Sequence, residues 1–199
     1  MKLYLTDVSG NSYKVRVLAS ILGVPYEKVY VDWPSREHKS PAFLKLNPRG
    51  QVPVMEVEGK VLWDSTAHLV YLARKFGGEQ WLPTEALEMA EVMNWMAFAQ
   101  NEIYFGLQWA RGVIRYGIPG DLDVYQGYGR KALEILESRF GKHEWLALGR
   151  PTIADIACYP YVRRAPEGQI PLEPYPEVKA WLRRCEALPG WLKLDGGPS

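Results

Sequence analysis

Asp64 and Ser65 carry the most explicit chemistry in this chain, and they close the stretch NPRGQVPVMEVEGKVLWDSTAHLVYL from Asn47 to Leu72. The pair precedes an apolar-periodic run of Ala67, Val70 and Tyr71, so it reads as a helix N-terminus. Such an end presents free N–H groups and the positive pole of the helix, which suits a carboxylate. Asp64 beside it suits an ammonium. The preceding half reads as a β-hairpin, with Val52, Val54, Val57, Val61 and Leu62 as strand residues and Glu58-Gly59 as the turn. Pro53 falls inside the first strand, where it cannot donate to a ladder. A cis bond between Val52 and Pro53 would turn the chain sharply and leave the Val52 backbone open to an extended peptide. One strand edge, one anion site and one acid describe a pocket for a small peptide with a free α-amino and α-carboxylate.

The pattern N-P-x-G-Q-V-P followed by D-S-x-A resembles the glutathione-binding half of the cytosolic glutathione transferases, and glutathione fits the pocket just described. The resemblance implies that the backbone of Val52, the residue before Pro53, pairs with the cysteinyl unit. It implies that Asp64 and Ser65 grip the γ-glutamyl end. Gln51 and Thr66 stand beside these, and Lys39 is the expected partner of the glycyl carboxylate. The thiol would lie at the loop VSGNSYKVR, residues 8–16. There the spacing S-x-x-[SC]-x-x-V of theta-like and zeta-like transferases puts Ser9 in the role of hydrogen-bond donor to the thiolate. A bacterial Nu-like pattern would give the part to Asn11. No tyrosine stands at the serine's position, and Tyr4 on the first strand is a weaker candidate. Ser12 is expected to cap the first helix. A hydroxyl suffices for the chemistry. A free thiol has a pKa of about 8.5, each unit of depression is about 1.36 kcal/mol, and a hydrogen bond to a charged group gives roughly 1.5–3 kcal/mol.

Around these residues the chain reads as βαβ-α-ββα and then as helices. Residues 2–6 and 26–31 are strands flanking a helix whose face is Val15, Leu18, Ala19 and Leu22. Gly23 and Pro25 close that helix. Ser40-Pro41 opens a short helix that ends near Asn47, and another helix runs from Ser65 to about Phe76. This order resembles a thioredoxin-like domain. The expected organisation is an α/β thioredoxin-like domain over 1–77, a linker over 78–83 and an all-helical domain over 84–199. In the second domain residues 84–116 carry the longest helical pattern, interrupted by Gly106 and Gly112. Residues 121–140 are a second helix weakened by Gly127 and Gly129. Thr152 and Asp155 form a capping box that resembles the buried folding motif of the transferases' helical domain. Residues 165–176, with four prolines, read as a surface connection before a helix over 177–187.

Composition fits a soluble globular protein: 199 residues, 47% hydrophobic, 24% charged, net charge +1. That balance favours neither nucleic acid nor an anionic membrane. No apolar run spans a bilayer, and the start MKLYLTDVSG lacks a signal pattern, so the expected compartment is the cytoplasm. Cys158 and Cys185 make no CxxC, and the three histidines have no zinc-like spacing, so no metal is expected. Asn101, Phe105 and Trp109 follow i, i+4, i+8 and are the candidates for a hydrophobic electrophile pocket. Arg163-Arg164 and Arg183-Arg184 read as solvated helix faces. The resemblance implies a homodimeric, bacterial transferase of the serine or asparagine type that uses glutathione as co-substrate in detoxification. The alternatives are a glutathione-dependent disulfide reductase and a non-catalytic module that keeps the fold.

Overall fold

The computed structural model describes residues 1–194; the last five residues of the expected helical domain, 195–199, lie outside the described residues. The first half is a four-stranded sheet in the order β2-β1-β3-β4, built from β1 (Lys2–Leu5), β2 (Glu27–Tyr30), β3 (Val54–Val57) and β4 (Lys60–Trp63). β1 and β2 are parallel because α1 (Gly10–Ile21) crosses between them, while β1–β3 and β3–β4 are antiparallel. The short helix α2 (Pro41–Leu46) is capped by Ser40, whose hydroxyl accepts from Phe43 N–H. The hairpin turn falls at Glu58 and Gly59, both with positive φ (51° and 73°), and the Val52–Pro53 peptide is cis. α3 (Ser65–Leu72) continues as a π-helical turn over Ala73–Gly77. This is the expected thioredoxin-like arrangement, and from Ala86 onward every regular element among the described residues is helical.

The long helix is continuous but changes its winding: α4 (Ala86–Phe98) passes into a π-helical stretch (Ala99–Gln108) and then α5 (Trp109–Tyr116). α6 (Leu122–Phe140) is unbroken across Gly127 and Gly129. The glycines have a packing reason. A Cβ on Gly106 would stand 2.5 Å from the Gly129 backbone nitrogen, so these two positions let the π-helical stretch and α6 approach backbone to backbone. α7 (Ile153–Arg163) opens with the expected capping box. The buried Asp155 carboxylate accepts from the N–H groups of Thr152 and Leu146 and from the Trp181 indole on α8 (Pro176–Glu186). One apolar core runs from Leu3 and Leu5 through Val15, Val17 and Leu18 of α1 to Ile156 and Trp181. Among the described residues no helix is long and apolar enough to cross a membrane.

Three expectations are corrected here. α1 is capped by Ser9, not Ser12: Ser9 has extended backbone angles and its hydroxyl accepts from Ser12 N–H at 3.2 Å. The segment before α8 is not merely a surface connection, because Ala165, Gly168, Ile170 and Leu172 are buried and Ile170 fills the notch that Gly129 leaves. Arg164 is not a solvated side chain. It is 1% exposed, donates to the Val8 carbonyl at 2.8 Å and faces Glu167. Arg163 is partly exposed and pairs with Glu186, closer to what was expected.

Candidate functional site

Two adjoining cavities open between the sheet domain and the long helix, and Asn11, Gln51, Val52 and Tyr104 line both. The first, of about 150 Å³, contains Asn47, Arg49, Pro53, Asp64, Ser65, Gln100 and Phe105. The second, of about 120 Å³, contains Ser9, Gly10, Trp33, Gln108, Arg111, Tyr116 and Tyr161.

In the first cavity the Asn47–Gly50 loop is held from both sides. Asn47 Nδ2 donates to Gln51 O and its Oδ1 accepts from Arg49 N–H, while Gly50 takes φ 57° to complete the turn. Lys39, expected at the glycyl carboxylate, lines neither cavity. Its ammonium donates to the Arg49 and Gly50 carbonyls, which fixes this loop. The loop delivers Arg49, which sequence reading missed: its Nη1 donates to Asp64 Oδ2 at 2.7 Å. Asp64 caps α3 by accepting from Thr66 N–H and holds φ 79°, an uncommon conformation for a residue with a side chain. Burial pushes its carboxyl pKa up, but the Thr66 N–H and the Arg49 guanidinium outweigh that and hold it below the usual range. An acid, a base and a helix N-terminus thus converge, the complement of a zwitterionic end group. Val52 stands at the inner wall, and the ladder of β3 begins only at Val54. Ser65 donates to Asn11 Oδ1 at 3.4 Å, which links α3 to the N-terminus of α1. Thr66 lines neither cavity and accepts from Gln100, which lines the first.

In the second cavity Ser9 sits at the N-terminus of α1. Its oxygen accepts one backbone N–H, so the hydroxyl proton is free to donate outward. The α1 end rests on Tyr161: a Cβ on Gly10 would come within 2.6 Å of that ring. Lys14, one turn further, is fully buried with its ammonium 5.1 Å from the Tyr161 ring centre, and burial pulls its pKa down to about 8. Tyr161 itself is held neutral by burial. Trp33 closes the outer side, stacked on the buried His38 with ring centres 4.0 Å apart. Tyr4 lines neither cavity and donates to Glu56.

The long helix presents a different stripe from the one expected. Gln100, Tyr104 and Gln108, followed by Arg111, face the cavities. Asn101 is exposed and bonds to Ala97 O, and Trp109 packs on Tyr125 at 5.5 Å. Phe105 alone of the expected three reaches the site, at the rim of the first cavity. The cavity-facing residues keep an i, i+4, i+8 spacing that starts one residue before the expected one. Ile103, Leu107 and Ala110 lie on the core side, and only their partners reveal it.

Residues 8–75 match the family model of the glutathione S-transferase N-terminal domain, and residues 126–189 that of the glutathione S-transferase C-terminal domain. The chain is 30% identical to glutathione S-transferase D7 of Anopheles gambiae over 92% of this chain and 85% of that protein. The crystal structure of a glutathione S-transferase from Pseudomonas fluorescens matches with a TM-score of 0.91 at 34% identity, covering 98% of each chain. A glutathione transferase homolog of Drosophila mojavensis, solved with bound glutathione, matches with a TM-score of 0.86 at 26% identity over 94% of this chain and 88% of that one.

Proposed function

The chain belongs to the glutathione S-transferase family and is a glutathione transferase; on that premise we propose how its residues divide the work. Asp64 receives the γ-glutamyl ammonium. The α3 N-terminus at Ser65, with Arg49, receives the γ-glutamyl carboxylate. The Val52 backbone pairs with the cysteinyl unit, Pro53 fixes that edge, and Gln51 flanks it. Lys39 acts by fixing the loop that carries Arg49. Ser9 donates to the sulfur and holds it as thiolate. Asn11, at the junction of the cavities, supports it, and the α1 N-terminus adds positive potential. The thiolate attacks the electrophilic carbon of a small molecule in the second cavity. A sulfur–carbon bond forms, and the displaced electron pair leaves with the leaving group or moves along an opened double bond. Catalysis is pKa depression plus orientation.

The observation that carries this reading is the contact of the two cavities. A zwitterion-binding set and a hydroxyl at a helix N-terminus share Asn11, Gln51, Val52 and Tyr104 as a common wall. Calorimetric titration of glutathione into wild type and Asp64→Ala tests it: affinity should fall in the variant, and equal affinity removes Asp64 from the assignment.

The wider reading is a cytoplasmic homodimer of two-domain subunits, 1–77 and 84–199 joined by 78–83, that detoxifies electrophiles. Two observations support the dimer. Leu62, Ala67, Val70 and Tyr71 form an open apolar groove beside α3, and Leu87 and Met93 of α4 are exposed at 70% and 40%. Both cysteines are free and buried, as suits a reducing compartment.

A further inference from the structure

We propose that the electrophile taken by this enzyme carries a carboxylate, and that Arg111 receives it; the proposal rests on the second cavity being the electrophile site. Among the described residues lining that cavity, only Arg111 has a formal charge and none is an acid. Arg111 is 4% exposed, so its charge is not a solvated ornament. Its Nε donates to Glu167 Oε2 at 2.7 Å, the side chain's one hydrogen bond among the described residues, which leaves the Nη groups for the cavity that it lines.

The wall behind Arg111 is crowded with charge. Glu167, its side chain 5% exposed, faces the buried guanidiniums of Arg111 at 2.7 Å and Arg164 at 3.5 Å, and the half-exposed one of Arg115 at 3.8 Å. Arg111 meets this shared acid through Nε alone. The crowding reaches Arg164, since burial and then the neighbouring Arg111 both weaken its hold on its proton. Gly168 makes the crowding possible, because a Cβ there would stand 2.9 Å from the Arg111 backbone nitrogen. Donors of a buried guanidinium are costly to leave without an acceptor. A planar guanidinium fork beside a sulfur site suits a carboxylate in particular. Tyr116 lies against Arg111 at 5.1 Å, and with Tyr161 and Trp33 it offers ring faces for the apolar body of the same molecule.

The test is equilibrium binding of chemically prepared conjugates, which needs no turnover: S-benzylglutathione, the 3- and 4-carboxybenzyl conjugates and their methyl esters. At least one carboxybenzyl isomer should bind wild type about tenfold or more tightly than its ester. The preference should vanish in Arg111→Met/Glu167→Gln, which removes the pair together and so leaves no acid stranded. In Arg111→Lys, which keeps the charge without the fork, it should shrink. Thermal melts establish that each variant is folded. Acid and ester binding wild type equally, or a preference that survives in the double variant, overturns the proposal. Failure of S-benzylglutathione itself to bind is a different result: it removes the glutathione site and this proposal with it.

Discussion

Replacing Ser9 by alanine separates two roles that the structure gives to one oxygen. Ser9 Oγ accepts from Ser12 N–H at 3.2 Å and caps α1. Losing a serine cap costs about 1 kcal/mol of stability. The same hydroxyl's proton is the proposed donor to the glutathione sulfur, a charge-assisted bond of roughly 1.5–3 kcal/mol. Divided by about 1.36 kcal/mol per unit, that predicts a rise of about 1–2 units in the pKa of bound glutathione. The assay is ultraviolet thiolate absorbance against pH with the protein saturated in glutathione, beside thermal unfolding. Ser9→Ala should show both losses. Ser9→Gly should show the same pKa rise with only a few tenths of a kcal/mol of the stability loss. Ser12→Ala is the control. Its own hydroxyl is buried with no hydrogen-bond partner among the described residues, so deleting it should be neutral or slightly stabilising and leave the pKa in place. Turnover of Ser9→Ala should fall at neutral pH and partly recover at alkaline pH, where the thiolate forms unaided. If Asn11→Ala gives the largest shift and Ser9→Ala none, the donor is Asn11 and the reasoning about Ser9 is refuted.

Asp155 gives the pH prediction. Burial raises its carboxyl pKa from 3.8 to about 6, so its contribution to stability is full below the unfolded value and is lost as pH rises through about 6. The melting-temperature difference between wild type and Asp155→Asn should therefore shift against wild type between pH 4 and 6.5, and a flat difference would contradict this. Gly106→Ala should cost about 1–3 kcal/mol, because its Cβ meets the Gly129 backbone, whereas Gly127→Ala meets nothing within 4 Å and should gain about 0.5–1 kcal/mol; chemical denaturation ranks the two. Arg49→Ala should change stability by less than about 1 kcal/mol, since Arg49 is half-exposed, yet weaken glutathione by about tenfold in calorimetry. Sedimentation equilibrium at micromolar concentration should return a dimer, and a monomer of 22.7 kDa would exclude it.

Local motifs were legible because their physics is local. Glu58-Gly59 makes its turn from neighbouring dihedrals, Asp64 caps the helix that begins at the next residue, and Thr152 and Asp155 cap α7 from within four positions. Pro53 signalled a break in the ladder because proline has no N–H to give, although the sequence placed it inside the strand and β3 begins one residue later, at Val54. The same hydroxyl chemistry at both serines let the cap be assigned to Ser12 where the fold uses Ser9, since a serine suits either place and only the backbone angles choose. Periodicity announced a long helix with one working stripe, but it gives a spacing and not an azimuth. The stripe of Gln100, Tyr104 and Gln108 was selected by α6 and α7 packing on the other side. Glycines 106 and 129 counted against their helices in sequence and proved to be where two helices touch. Least legible were Arg111, Arg164 and Glu167. Position 111 lies far from 164 and 167 in the chain, and each side chain alone reads as a solvated charge. Folding brings α5 against the turn after α7, and burial then turns three ordinary charges into a crowded cluster at the wall of the site.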